Sequence, residues 1–403
     1  LFFTLGSSGR ISEQRAVICS ETRPLVGSLQ SVFHVDKKPT ALHSEVQANV
    51  CAVLLEPYSL GSDPVFFQAL SGPDVAHNNH KIGVTAMKLP FAGRLLAVAM
   101  LAAASLTLSV AHADTAQKPK VGLVMKSLAN EFFVTMQDGG KAYQKAHSAD
   151  FDLVSNGIKN ETDTAGQIDI INQMIIAKVD ALVIAPADSK ALVSAIKKAR
   201  DRGIVVVNID NQLDPEVLKS KGIEVPFVGP NNRKGAREVG DYLAKQLKPG
   251  DEVGIIEGVS TTTNAQMRTA GFKDAMDAAG MKIVSTQSGD WEIDGGNKKA
   301  AAMLSEYPNL KALLAGNDNM AVGAVSAIRA AGKAGKVQVV GYDNIDAIKP
   351  MLEDGRVLAT ADQAAAEQAV YGIQTALKLL KNEPVENLKD GVIDTPVELI
   401  TKK

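Results

Sequence analysis

KVGLVMKSLANEFFVTM, Lys120 to Met136, decides the fold. Its first half is a short apolar run with polar ends, which reads as a buried β-strand. After a polar turn at Ala129 and Asn130 the spacing becomes helical, and the helix opens on two adjacent rings, Phe132 and Phe133. Neighbours on a helix point about 100° apart, so a buried face takes one of the two rings and the second needs another role.

Strand followed by helix then repeats along the chain. FDLVSNG, DALVIAPA and GIVVVNID alternate with helices through Lys178 and Arg202. The runs LVI and IVVV do not alternate in polarity, which suits parallel strands covered on both faces. The pattern restarts after PFVGPNN with DEVGIIEG, KIVSTQSG, KALLAGN, VQVVGYD and VLATADQ, and it ends in a helix from Ala364 to Asn382 and one closing strand near VIDTPVELI. These strands are too many for one comfortable sheet. The expectation is an α/β fold of two doubly wound parallel-sheet lobes, each with its own core.

Upstream, the first methionine is Met87, and MKLPFAGRLLAVAMLAAASLTLSVAHADTAQ begins there. Lys88 and Arg94, an apolar run from Leu95 to Val110 and the A-x-A site Ala111-His112-Ala113 have the form of a secretory signal peptide. A membrane anchor needs about 20 apolar residues, and this run is shorter. Residues 87–113 are thus expected to be removed by cleavage between Ala113 and Asp114, giving a periplasmic protein. Residues 1–86 are expected to be a disordered, non-native upstream extension.

Composition narrows the chemistry. The formal net charge is −2, with no basic surface to suggest nucleic acid. Cys19 and Cys51, and five of the six histidines, precede Asp114. Thiol catalysis and cysteine or multi-histidine metal sites are excluded from the exported part, a Ser-His-Asp triad is improbable there, and no cofactor is expected. His147, near a helix end, reads as a capping residue. Phosphate-loop, dinucleotide and calcium-loop motifs are missing, and Asn160-Glu161-Thr162 is a chance match to a glycosylation acceptor.

Polar residues recur just past the carboxyl ends of strands: Asn130, Asp188, Ser189, Asp210, Asn211, Thr262, Asn264, Asn317, Asp318, Asp343 and Gln363. Open α/β sheets bind ligands there. Helix capping is the plainer reading of Asp188, Asp318 and Asn344 taken singly. Carboxylates that accept, an arginine that donates and amides that do both make a set able to satisfy a polyol: Asp210, Asp343, Arg268, Asn130, Asn317 and Gln363.

With NEFF after a strand, VIAPADS, VNID, MRTAGF, AGNDNMAVGA, VGYDN and ATADQ in this order, residues 118–402 resemble the periplasmic sugar-binding proteins of ABC importers, the group around the ribose-binding protein. The resemblance implies two lobes joined by a three-crossing hinge, 114–228 plus 364–397 and 229–363 plus 398–403, with a monosaccharide in the cleft between them. It implies ligand contacts from Asn130, Phe132, Phe133, Asp210 and Asn211 of the first lobe, and from Arg268, Trp291, Asn317, Asp343 and Gln363 of the second or its border. The second ring then has a role, since flat aromatic walls suit the C–H faces of a sugar.

Asn211 and Ala185 depart from the ribose-binding pattern, which has an arginine and an asparagine there, while STTTNAQ before Arg268 offers new donors. A pentose, a hexose or a polyol is therefore expected as ligand, with an inner-membrane ABC permease as partner, a monomeric state and no enzymatic activity. The alternatives are a receptor of the same fold that feeds chemotaxis or signalling, a two-lobed transcription repressor, which needs a DNA-binding head, and a glycosidase, which needs room for a leaving group.

Overall fold

The computed structural model describes residues 118–402. The expected signal peptide and upstream extension both lie outside the described residues. The apolar strands fix two cores. In β1 (Lys120–Ser127) every residue after Lys120 is buried, and β3 (Ala181–Ile184) and β8 (Ala312–Ala315) are buried throughout. Strands covered on both faces in this way belong to parallel sheets sandwiched by helices.

The first sheet adds β2 (Asp152–Ile158), β4 (Val205–Ile209), β5 (Phe227–Pro230) and β11 (Val392–Thr395) in the order β11-β5-β4-β3-β1-β2. All its pairings are parallel. The second sheet combines β8 with β6 (Glu252–Glu257), β7 (Lys282–Ser288), β9 (Gln338–Val340), β10 (Ala359–Asp362) and β12 (Glu398–Thr401), in the order β12-β10-β9-β8-β6-β7. Only β12 runs antiparallel to its neighbour.

In the first lobe, α1 (Glu131–Ala146) and α10 (Ala365–Leu380) lie together, with α2 (Thr164–Ile176), α3 (Val193–Arg200) and the short α4 (Pro215–Ser220) in addition. Gly139 lets α1 and α10 approach, because a Cβ there would stand 2.6 Å from the Ala366 Cα. His147 ends α1 and stacks on Tyr143. The second lobe holds α5 (Asn232–Ala244), α6 (Thr263–Ala278), α7 (Ile293–Glu306), α8 (Asp318–Ala330) and α9 (Lys349–Glu353).

The chain changes sheet three times: between Pro230 and Asn232, across Gln363 and Ala364, and across Pro396 and Val397. β5 ends at Pro230, so the first sheet runs past the 228/229 boundary expected from the sequence. The closing segment read as one strand is two. The strand breaks at Pro396, which has no N–H to continue a ladder, and its halves join different sheets. Ala364 carries the second crossing in a left-handed conformation (φ 53°) that is unusual for a residue with a side chain.

Candidate functional site

The loops after the carboxyl ends of both sheets meet in one small chamber. Lys126, Asn130, Phe132, Phe133, Glu161 and Asp210 line it from the first lobe, Asn264, Arg268, Trp291, Asn317 and Asp343 from the second, and Gln363 from a crossing. The atom-free space among them is small, about 220 Å³ with the part that opens to solvent included, and the side chains close tightly around it.

Nine of the ten residues singled out in the sequence line the chamber. Asn211 does not. Its side chain turns away, with Nδ2 donating to the Pro186 carbonyl at 2.9 Å and Oδ1 accepting from Ser189 Oγ and the Asn264 N–H. Two liners, Lys126 and Glu161, were missed, and Asn264, noted past a strand end and in STTTNAQ, was not counted among the ligand contacts.

Two walls are aromatic. Phe132 and Phe133 stand edge to face at 5.1 Å, both buried, so both rings at the start of α1 face the chamber as well as the core. Trp291 is held opposite by an unusual turn, since Asp290 (φ 56°) and Trp291 (φ 66°) are both left-handed. Its indole lies against Gly258, where a Cβ would come within 2.0 Å of the ring. Asp210 (φ 60°) and Asp343 (φ 120°) also take positive φ. Strained backbone of this kind gathers where a side chain must be aimed.

The rim is charged and almost dry. Arg268, on α6, donates from Nε to Asn232 Oδ1 (2.8 Å), from Nη1 to the Gly316 carbonyl (2.9 Å) and Asp343 Oδ1 (3.2 Å), and from Nη2 to Gln363 Oε1 (3.2 Å). Its guanidinium lies 3.8 Å from the Tyr342 ring centroid. Gln363 also donates to Asp343 Oδ1 at 2.7 Å. Lys126 pairs with Glu161 at 3.0 Å and places its ammonium 5.4 Å from Phe133 and 5.3 Å from Trp291. Asn130 caps α1 through its Oδ1 and donates to Glu161 from its Nδ2, while Asn317 caps α8 and donates to the Trp291 carbonyl. These two asparagines position their neighbours as well as line the chamber.

Two cations therefore face three carboxylates. Burial pushes the Asp210 carboxyl up to about 6, against the opposing pull of Lys126 and Arg268. Asp343 lies well above the usual carboxylate range for the same first reason, with Arg268 again opposing. Asp210 Oδ2 and Trp291 Nε1 are buried without a hydrogen-bond partner. Buried polar groups are paired in the great majority of cases, so these two atoms stand ready to take a partner.

The residues read as caps divide. Asp188 accepts from the Lys190 and Ala191 N–H groups, as a turn residue does. Asp318 is not the cap of α8, a role taken by Asn317. It turns inward to Thr360 and the Ile345 N–H, and burial raises its carboxyl to about 7. Asn344 caps no helix and donates to Asp362. Within STTTNAQ, Asn264 reaches the chamber while the Thr262 hydroxyl bonds the Val259 carbonyl. Among the described residues no cluster of His, Cys, Asp and Glu is arranged to hold a metal.

Two parallel-sheet lobes meeting on a small polar chamber with aromatic walls define a receptor for a small polar solute. Residues 121–384 match the periplasmic binding protein domain family, and the chain belongs to that family. A D-ribose/D-allose-binding protein of Pseudomonas aeruginosa is 73% identical over 317 residues, 78% of this chain and 99% of that protein. Among solved structures, an ABC transporter solute binding protein of Burkholderia multivorans is 71% identical with a TM-score of 0.68, covering 71% of this chain and all of that one. Another from Actinobacillus succinogenes, with bound D-allose, is 32% identical with a TM-score of 0.66, covering 71% and 98%.

Lys126→Met leaves Glu161 buried without its counter-charge. This substitution is expected to lower unfolding stability in urea by about 3–5 kcal/mol, and adding Glu161→Gln to it is expected to restore most of the loss.

Proposed function

We propose that the exported protein is the periplasmic receptor of an ABC-type importer for an aldose of the D-ribose and D-allose configuration. The observation that carries this reading is the chamber wall itself, where Asp210 Oδ2 and Trp291 Nε1 converge unpaired beside Lys126 and Arg268. A sugar hydroxyl donates once and accepts twice, so one ring can donate to Asp210 and accept from Trp291 Nε1 and Lys126. Its C–H faces meet Phe133 and Trp291.

The named relatives support the choice of sugar. D-ribose and D-allose in their pyranose forms have the same hydroxyl configuration at carbons 2 to 4, and allose adds one hydroxymethyl group. One rim can therefore read both. The arginine missing at Asn211 is made good by Lys126, which brings a cation to the same chamber from β1. The contacting residues are Asn130, Phe132, Phe133, Asp210, Arg268, Trp291, Asn317, Asp343 and Gln363, joined by Lys126, Glu161 and Asn264. The protein acts as a monomer, leaves its signal peptide at Ala113, presents the occupied form to an inner-membrane permease and carries out no reaction.

Titration calorimetry of residues 114–403 tests this. D-ribose and D-allose are expected to bind with micromolar or tighter affinity and to change the emission of Trp291, the one tryptophan in the chain. Asp210→Ala is expected to weaken both sugars by about 2–5 kcal/mol, because charge-assisted bonds in a buried site are lost. Binding of neither sugar contradicts the proposal.

A pH dependence follows from Asp210. A donated hydroxyl favours the carboxylate, whereas protonation near pH 6 removes an acceptor. Affinity is expected to fall as pH is lowered through about 6, with proton release on binding in that range. Calorimetry in buffers of different ionisation enthalpy reads this directly, and a flat profile from pH 7 to 5 contradicts the assignment.

A further inference from the structure

The N-terminus of α6 has no cap of its own. Thr262 stands at the cap position, but its side chain makes no bond to the helix and its hydroxyl is spent on the Val259 carbonyl. The first N–H groups of a helix have no partner within it, and here they are satisfied largely from the other lobe. The Thr263 N–H donates to Ser189 Oγ at 2.9 Å and the Asn264 N–H to Asn211 Oδ1 at 3.3 Å, while the Ala265 N–H returns to the Asn264 side chain at 2.9 Å.

The network is complete within itself. Ser189 Oγ donates once, to Asn211 Oδ1 at 3.3 Å, and accepts twice, from the Thr263 N–H and from Thr263 Oγ1 at 3.0 Å. Asn211 is anchored to its own lobe through the Pro186 carbonyl. Ser189 and Asn211 are buried, and neither lines the chamber. Arg268 and Asn264, which do line it, ride on the helix these bonds hold.

We propose that Ser189 and Asn211 cap α6 across the cleft and so act as a closing latch, positioning Arg268 and Asn264 for the ligand without touching it. The proposal rests on the sugar-binding reading above. A latch of this kind stabilises the closed state by the same amount whatever the sugar. Apparent affinity scales with the closed population, so its loss weakens all ligands by one common factor.

Ser189→Ala, Thr263→Ala and the double variant test the latch from both sides of the cleft, with D-ribose and D-allose as probes. Each single variant is expected to raise Kd about 3- to 10-fold, as loss of a helix cap does, by the same factor for both sugars and through a faster off-rate. The double variant is expected to lose less than the product of the two. Unchanged Kd values overturn the latch, and so do factors that differ between the sugars, which would place these residues in ligand contact. If the wild type binds neither sugar, the sugar reading fails and the latch is read without ligand. Spin labels on cysteines placed at the exposed positions Ile176 and Asp277 are expected to show a longer lobe-to-lobe distance in Ser189→Ala than in the wild-type background. Identical distance distributions overturn the latch in that case too.

Discussion

Charge held out of water between two separately folded lobes is the constraint on which this molecule depends. Arg268 and Asp343 from one lobe, and Lys126, Glu161 and Asp210 from the other, are each almost fully buried, and each ion pair is drawn from within a single lobe. Desolvating charges costs several kcal/mol apiece and is offset only where partners are well placed. Each lobe therefore brings a pre-paired set to the cleft. Burial raises the affinity of Asp210 and Asp343 for protons, although the neighbouring cations oppose it.

The scaffold makes that arrangement possible because parallel strands deliver all their carboxyl ends to one edge. Each sheet aims its loops at the other, and three short crossings join the two lobes. The Asp346 and Ala347 N–H groups donate to the Glu131 carboxylate, and the Glu161 N–H donates to that of Glu292; Glu131 and Glu292 each adjoin a chamber liner. Bonds between the lobes and the walls of the chamber thus share the same short stretches of backbone.

Much of this was legible in the sequence. Strand and helix periods gave two parallel-sheet lobes, and the paired rings at Phe132 and Phe133 pointed to a wall rather than a core alone. Asn211 misled, because position after a strand says where a residue sits but not which way its side chain turns. Lys126 was hidden in the opposite way. A lone lysine near the end of an apolar strand looks like a solvated end, and its burial depends on Glu161, which is distant in sequence and lay within a tripeptide dismissed as a chance match. The closing segment was read as one strand, although Pro396 divides it between sheets. Partnerships across loops leave no local period to detect.

A crystal structure of residues 114–403 grown with D-allose tests the central claim most directly. The account predicts one pyranose ring between Phe133 and Trp291, with a ring hydroxyl within hydrogen-bond distance of Asp210 Oδ2 and another of Lys126 Nζ, and with Asn211 still bonded to Ser189. A sugar bound elsewhere, or one contacted by Asn211 and not by Lys126, would contradict it.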